Sequence, residues 1–392
     1  MKRQKYLILF LLLFLTACNK NSLTTIDGKE KAASHGSKEQ VEKVVEEITL
    51  IATGDLIFHQ PIVKSYFNGE TYDFTPCFRP IERELQEADI ALANFEGSID
   101  SKRPTSGFPR FNFPKESIHS LKRVGFDVLS TANNHALDMG IEGIDETLET
   151  MKKEGIVSVG TFQNHQRPPA VMEVRGVRVG FLAYTQSLNG LDSLLPPEEE
   201  YRINRFSEEI IKSDIESLKS HTDFVVILPH WGHEYIEKSN PVQQEWNKKF
   251  YDYGADMVLG SHPHVLQETD RSIGDWGDHF TIYSMGNALS NQRVDHLRKK
   301  GVETGILVKA IIEKNFTTNT TRLKDISLEP TYVNRYRSEG KFRYEVVKLR
   351  DFLEGGAFYE GIDPLLREKA KKYFQEAEEI LYRNENSSEK AA

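Results

Sequence analysis

The sequence predicts an α/β fold. Short apolar runs of strand length recur along the chain, and residues 48–53 and 89–93 are two of them. Stretches with the spacing of an amphipathic helix separate these runs, as in residues 140–154, where apolar side chains recur at Ile141 and Ile144. Alternation of the two patterns is typical of a sheet covered by helices.

The first half of the chain supplies strands that lead into helices. A helix predicted at 80–88 lies between the first two strands, and a third strand at 126–130 leads through a polar loop into the helix described above. Residues 170–184 contain two alternating apolar runs around Arg175-Gly176, which predicts a hairpin.

The second half adds two helices and a late run of strands. Residues 207–220 follow a serine start with helical spacing, and residues 241–253 begin with proline, which is favoured in the first turn of a helix. The hairpin and the late strands together predict a second, mixed sheet. The strands predicted in this half are 223–228, 255–259, 280–284 and 305–312.

The N-terminus has the features of a lipoprotein signal peptide. A basic segment precedes an apolar run at 6–15, and the ending Leu15-Thr16-Ala17-Cys18 resembles a bacterial lipobox. The run is too short for a membrane-spanning helix, which needs ~20 apolar residues. We therefore expect residues 1–17 to be removed and Cys18 to carry lipid. The alternative is an ordinary signal peptide in which Cys18 is coincidental.

Charge and composition bound the location and the partners. The formal net charge is −9, and removing residues 1–17 takes away three cations and no acid, which leaves −12. Such a surface does not favour nucleic acid. We expect an extracytoplasmic lipoprotein anchored to the bacterial cell membrane, with residues 18–47 as a flexible tether. With Cys18 lipidated, Cys77 has no disulfide partner and is expected to be buried.

The remaining boundaries follow from the distribution of these motifs. One folded domain is expected over residues 48–335. Residues 336–392 carry no chemical motif and form a C-terminal extension, in which 365–383 has the pattern of an amphipathic helix.

Six predicted strands end in residues that bind metals or transfer protons. Because the carboxyl ends of neighbouring strands in an α/β sheet meet at one crevice, we expect these residues to lie close together. The six clusters are Thr53-Gly54-Asp55, Asn94-Phe95-Glu96, Asn133-Asn134-His135, His230-Trp231-Gly232, Ser261-His262-Pro263-His264 and Ser284-Met285-Gly286-Asn287.

The side chains in these clusters predict a divalent metal site. His262 and His264 point to the same side if their segment is extended, and Pro263 stiffens their spacing. Mixed imidazole and carboxylate ligands suit zinc, manganese or iron, and six ligands can hold two ions that activate water. The candidate ligands are Asp55, Glu96, Asn134, His230, His262 and His264.

Each candidate also has a structural alternative. Asp55 could cap a turn, Asn133-Asn134 could form a left-handed turn, and His230 beside Trp231 could be a core histidine. Their joint occurrence at the ends of strands favours one shared site.

Together these motifs resemble the CapA family of capsule synthesis proteins, which is linked to bacterial poly-γ-glutamate capsules. The resemblance extends in order over residues 48–335. That family in turn resembles the calcineurin-like metallophosphoesterases, so the expected fold is a sandwich of two β-sheets flanked by helices. The motifs that carry it are Gly54-Asp55, Asn94-Phe95-Glu96-Gly97, residues 132–140, 230–235 and 260–265, and Met285-Gly286-Asn287.

The resemblance implies a role for each candidate. Asp55 and His264 would bind one ion, and Glu96 would bridge it to a second. His135 would protonate the leaving oxygen as a general acid. The ligands of the second ion would be Asn134, His230 and His262. The expected substrate contacts are Asn94, His59, His233 and Asn287.

One position departs from the phosphoesterase pattern. Those enzymes carry a metal-binding histidine two residues after the first aspartate, where this chain has Ile57. His59, four residues after Asp55, is the alternative ligand.

Two functional hypotheses follow. The first is a lipid-anchored CapA-like protein that uses a metal-dependent hydrolase-type site in the synthesis, export or attachment of an anionic envelope polymer. The second is a non-catalytic partner of membrane polymer-synthase subunits that keeps the crevice for binding only. An acidic surface repels a polyanion unless a metal ion or a local basic patch, such as residues 103–110, receives it.

Overall fold

The computed structural model describes residues 44–274 and 277–384. The strands in these ranges are β1 (Val45–Leu56), β2 (Ile90–Phe95), β3 (Val128–Ser130), β4 (Val157–Val159), β5 (Ala170–Val174), β6 (Val177–Thr185), β7 (Phe224–His230), β8 (Met257–Leu259), β9 (Thr269–Gly274), β10 (Gly277–Ile282), β11 (Asn287–Leu289), β12 (Thr304–Asn315), β13 (Thr320–Ser338) and β14 (Lys341–Lys348).

Eight α-helices accompany these strands in the described ranges. They are α1 (Gln60–Ser65), α2 (Glu82–Glu87), α3 (Glu116–Val124), α4 (Gly140–Glu154), α5 (Glu208–Lys219), α6 (Pro241–Asp252), α7 (Val294–Leu297) and α8 (Pro364–Leu381).

The strands form two sheets, which confirms the predicted α/β class and the pair of sheets. The first has the order β14-β13-β12-β1-β2-β3-β4, and β11 also pairs with β1. The second has the order β5-β6-β7-β8-β10-β9. Strands β1 to β4 pair in parallel, as do β6, β7, β8 and β10, while antiparallel strands complete the edges.

Alternating side chains of β1 show how the layers are built. Ile48, Leu50 and Ala52 join the apolar core that lies between the two sheets. Ile51 points to the opposite face and joins residues of α1, α2 and α3. On the far side, α5 and α6 cover the second sheet through Ile211 and other apolar residues. The result is a two-sheet sandwich flanked by helices.

The predicted helix ends have different local causes. Asn240 caps α6, since its side chain accepts a hydrogen bond from the Gln243 backbone, and Pro241 occupies the first turn. Ser207 precedes α5 as predicted, but its side chain makes no capping hydrogen bond.

The folded domain extends beyond both predicted boundaries. Strand β1 begins at Val45, because residues 45–47 pair with the end of β12 and Glu46 forms an ion pair with Arg175 at 3.1 Å. The predicted boundary at residue 335 falls within β13, and β14 continues the sheet. Helix α8 contributes Ile380 to the core between the sheets, so the C-terminal region is part of the domain.

Several expectations lie outside the described residues. They concern the signal peptide at 1–17, lipidated Cys18, the tether up to residue 43 and the tail after residue 384. In the part of the chain that the structure describes, no helix has the length and apolar character needed to span a membrane.

A close backbone contact joins β1 to the turn before β11. Asp55 N donates to Gly286 O at 2.9 Å. A Cβ atom on residue 54 would overlap that carbonyl oxygen, so the approach requires glycine at this position. The contact fixes the position of Asp55 at the carboxyl end of β1.

We expect Gly54→Ala to lower the free energy of unfolding by roughly 1–3 kcal/mol, because the added methyl group must push the two backbones apart. Urea unfolding monitored by circular dichroism measures this. Gly107→Ala is the matched control, since its added Cβ would lie 3.1 Å from the flexible side chain of Gln60 and 3.5 Å from the Gln60 backbone nitrogen, an ordinary contact distance. Equal stability of the two variants would contradict the expectation.

Candidate functional site

The predicted clusters converge on one crevice at the carboxyl ends of the central parallel strands. Asp55 lies on β1, Glu96 directly follows β2, and His230 ends β7. An isolated bridge between His230 and Ser261 brings the loop after β8 alongside β7. Both sheets therefore contribute side chains to the same place, as the sequence predicts.

Asp55, Glu96 and His264 form the first group. One potential ligand atom from each lies within 4.8 Å of the others, and all three residues are buried. His264 Nδ1 donates to Asp55 Oδ2 at 3.0 Å, and His264 Nε2 lies 3.5 Å from Glu96 Oε1. Two carboxylates thus share one imidazole.

Asn134, His230 and His262 form the second group. His230 Nε2 lies 3.0 Å from Asn134 Oδ1 and 3.1 Å from His262 Nδ1. The same His230 nitrogen lies 3.9 Å from Glu96 Oε1. Glu96, a member of the first group, therefore also lies close to the second.

The donor set fits a divalent cation. Glu96 Oε1 is buried and has no hydrogen-bond partner among the described residues, whereas Glu96 Oε2 accepts from Asn94 at 3.2 Å. A buried carboxylate oxygen without a partner is unfavourable unless a cation approaches it. Imidazole nitrogens and carboxylate oxygens around that atom are ligands that zinc, manganese and iron accept.

Burial and mutual charge separate the histidines. For His264, burial lowers the pKa, but Glu96 and the hydrogen bond to Asp55 outweigh it and raise the pKa to about 9. Burial lowers the pKa of His262 to about 3 and that of His230 well below its usual range. Burial raises the pKa of Glu96, and charged His264 opposes that shift. Among the three histidines, these pKa shifts favour the protonated form of His264 and the neutral forms of His262 and His230 at neutral pH.

The histidine pair after β8 is a turn and not the extended segment expected from the sequence. His262 has φ 97° and His264 has φ 57°, both in the left-handed region. The turn still directs both rings into the crevice, with centroids 6.1 Å apart, but into different groups. Asn287 Nδ2 holds the turn by donating to His264 O at 3.2 Å.

His135 lies beside the second group and is oriented by Asp138. Its Nδ1 is 2.7 Å from Asp138 Oδ2, and both side chains are buried. The ring packs against Phe111 with centroids 4.6 Å apart. Sequence reasoning missed Asp138, although its position three residues after a candidate general acid is the spacing that allows such a contact.

Asn189 is a second residue that sequence reasoning missed. It is exposed on the loop after β6, and its side chain contacts both Asn134, at 3.3 Å, and His135, at 3.4 Å. The Asn189-Gly190 dipeptide indicates a turn, but nothing in the sequence connects that turn with the crevice.

Two expected substrate contacts have internal roles. Asn94 Nδ2 donates to Asp55 at 2.8 Å and also contacts Glu96, so it holds the two carboxylates. Asn287 uses its amide hydrogens on backbone and side-chain oxygens of neighbouring loops. His233 is exposed, three residues beyond His230, and remains open to solvent.

Ile57 occupies the position at which the phosphoesterase pattern has a metal-binding histidine. Ile57 is buried in the apolar cluster beneath the helices. His59 does not replace it, because Asn291 N donates to His59 Nδ1 at 3.2 Å. Neutral His59 then carries its proton on Nε2, which is a hydrogen-bond donor and not a metal-binding lone pair. The first group therefore contains Asp55, Glu96 and His264.

The fold and the crevice define a two-sheet α/β protein with a histidine and carboxylate site. Residues 49–292 match the family described as bacterial capsule synthesis protein PGA_cap, and the chain belongs to this family.

Two relatives carry capsule or polymer names. The chain is 29% identical over 258 residues to the capsule biosynthesis protein CapA of Bacillus anthracis. This alignment covers 63% of this chain and 61% of that relative. It is 27% identical over 292 residues to the PGA biosynthesis protein CapA of Bacillus subtilis, covering 69% and 73%. The chain thus spans about three fifths of the length of the first relative.

Solved structures to which the chain is similar include a phosphatase and a phosphoesterase. A phosphatase of Mycoplasma pneumoniae has a TM-score of 0.44 at 13% identity, over 73% of this chain and 94% of its own. The calcineurin-like phosphoesterase YfkN of Bacillus subtilis has a TM-score of 0.42 at 16% identity, over 72% and 90%.

We expect affinity for a divalent metal to rise roughly tenfold per pH unit between pH 7 and about 9 and then to level off. The pKa of His264 is raised to about 9, so below that pH an ion must displace its proton, and this competition weakens as pH rises. Competition of the protein with a chromophoric chelator for Zn²⁺ at several pH values measures this. A flat profile over that interval would contradict it.

Proposed function

We propose that this member of the capsule synthesis family is a lipid-anchored, extracytoplasmic protein with a metal-dependent hydrolase-type site. It acts in the synthesis, export or attachment of an anionic envelope polymer. The observation that carries the proposal is the position of Glu96, whose buried Oε1 has no hydrogen-bond partner among the described residues and lies 3.5 Å from His264 Nε2 and 3.9 Å from His230 Nε2. The capsule and polymer names of the relatives support the context.

Two sets of residues would hold the metal. Asp55, Glu96 and His264 would bind one ion, and Glu96 would also approach a second. The further ligands of that second ion would be Asn134, His230 and His262. A bound ion would supply Lewis-acid activation of a water molecule and of the oxygen at the bond to be cleaved.

His135 would give the proton to the leaving group. Asp138 accepts from Nδ1 and fixes the ring, so the proton that His135 gives would be the one on Nε2 of its imidazolium form, on the side that faces exposed Asn189 at the mouth of the crevice. The amide of Asn189 would contact the substrate beside that proton. Asn94 holds the two carboxylates in place by donating to both.

Attachment to the membrane rests on the Leu15-Thr16-Ala17-Cys18 motif and on the polar segment that follows it. An extracytoplasmic position would bring the crevice to a polymer that is made or exported at the membrane. Membrane polymer-synthase subunits are the proposed partners.

A specific observation favours a second candidate function. Ile57 is packed in the core, and neutral His59 keeps its proton on Nε2, so the first group has fewer ligands than the phosphoesterase pattern. A site of lower metal affinity would suit a non-catalytic partner of a polymer synthase that uses the crevice for binding only.

Substitution of the proposed metal ligands and of the proposed general acid distinguishes the hydrolase from the binding partner. We expect His262→Ala and His230→Ala to lower metal content by at least about tenfold, since each removes a direct ligand. His135→Ala is expected to keep the metal and to lower polymer output by roughly 10²-fold or more, because a general acid acts on the transition state. Metal analysis and a polymer assay measure the two effects.

His221→Ala is the control for these variants, because His221 is an exposed histidine at the end of α5. Loss of metal in His135→Ala would show that His135 is a ligand. Full polymer output from both His135→Ala and His230→Ala would favour the binding partner over the hydrolase.

We expect Cys18→Ala to abolish lipid attachment, so that the protein leaves the membrane fraction or remains as uncleaved precursor. Fractionation, with mass spectrometry of the N-terminus, measures both outcomes. Ser22→Ala, a change within the predicted tether, is the matched control. Wild-type protein found in the medium with an unmodified Cys18 would rule out the anchor.

A further inference from the structure

The loop between β11 and β12 carries three consecutive cations. Arg298, Lys299 and Lys300 follow α7, and all three are exposed. None of them forms an ion pair with a described acidic residue, whereas nearby Asp295 pairs with Arg335 at 3.4 Å. Their positive charge is therefore available to a ligand.

This loop is fixed to the metal-site turn. The side-chain amide of Asn287 donates to Gln292 Oε1 at 3.0 Å and to Val302 O at 2.9 Å, on either side of the three cations. The same amide donates to His264 O. Arg293, which is almost fully buried, adds an ion pair with Glu303 at 2.8 Å. The loop and His264 thus have a common support.

The cations lie near the mouth of the crevice. Lys299 Nζ is 5.9 Å from the centre of the Tyr235 ring, and that ring is 6.1 Å from the ring of His264. Tyr235 is also held by its backbone N–H, which donates to Pro263 O at 2.8 Å. Glu234 is adjacent to Tyr235, and Glu237 Oε1 would lie 3.4 Å from a Cβ on Gly301, so at least two negative charges accompany the three positive ones.

The basic patch expected at residues 103–110 is less suited to receive an anion. Arg103 is paired with Asp100 at 2.9 Å. The neighbouring groove, which Lys102 lines, also contains Glu142, Glu146 and Glu149. A polyanion would meet that acidic groove, but at residues 298–300 it would meet unpaired cations.

We infer that Arg298, Lys299 and Lys300 form a docking site for a run of carboxylates in the polymer chain, next to the crevice that receives the reacting bond. The identity of the polymer rests on the proposed function. The loop lies beyond residues 49–292, which match the family. A protein whose net charge is −9, or −12 after removal of residues 1–17, would otherwise repel such a chain, so local cations beside the site decide where it binds.

The test measures binding of labelled poly-glutamate to the full chain in detergent. Fluorescence anisotropy monitors this binding at salt concentrations from 50 to 300 mM, which include ordinary ionic strength on the order of 0.1 M. We expect the triple variant R298Q/K299Q/K300Q to bind at least about tenfold more weakly and with a shallower salt dependence, because three charge contacts are lost. The control K152Q/K153Q/K371Q removes equal charge from exposed positions on α4 and α8 and should bind like wild type.

Three outcomes would overturn the inference. They are unchanged binding by the triple variant, an equal loss in the control variant, and no binding of poly-glutamate by wild type. Binding to phosphatidylglycerol vesicles is measured in parallel. If the triple variant loses affinity for these vesicles and not for poly-glutamate, the loop binds the membrane and the inference is wrong. If wild type lacks metal but binds poly-glutamate through this loop, the hydrolase proposal fails and the docking site stands.

Discussion

Asp55 and Glu96 are carboxylates without exposed surface, and the rest of the crevice must compensate their negative charge. Negative charges buried together are unfavourable unless a cation lies between them. In the described structure the protonated ring of His264 supplies that cation, through a hydrogen bond to one carboxylate and close approach to the other. A divalent ion would take over the same electrostatic role and release the proton.

Placing His264 there requires an unusual backbone. Left-handed conformations at non-glycine residues cost on the order of 1–3 kcal/mol each and persist where the surroundings fix them. Here Asn287 holds the carbonyl of His264, and Gly286 O accepts from Asp55 N. Support also comes from the C-terminal region, because Lys369 of α8 forms an ion pair with Glu303 at 2.7 Å beside the same loop. The C-terminal helix thus contributes to the position of the site.

Sequence reasoning succeeded where the signal is local. The helix at 140–154 and the polar ends of the strands follow from periodicity and from the rule that parallel strands converge. It missed the start of β1 at Val45 and all of β13 and β14, because their polar residues are satisfied by pairing with other strands. Asn189 and residues 298–300 were missed for a related reason. Their place at the crevice depends on loops whose course is set by tertiary contacts, and no periodic pattern records it.

The two sheets contribute three proposed ligands each, of different chemical type, and this division links metal binding to folding. Asp55, Glu96 and Asn134 come from the ends of the first sheet, while all three histidine ligands of the proposed site come from the second. Within the described residues Cys77 is free and buried, so no disulfide joins the sheets there. An ion bound by residues of both sheets would add a cross-link at the open end of the core, and would stabilise the native state over the unfolded chain by mass action. Loss of one histidine would then weaken the contact between the sheets as well as the site.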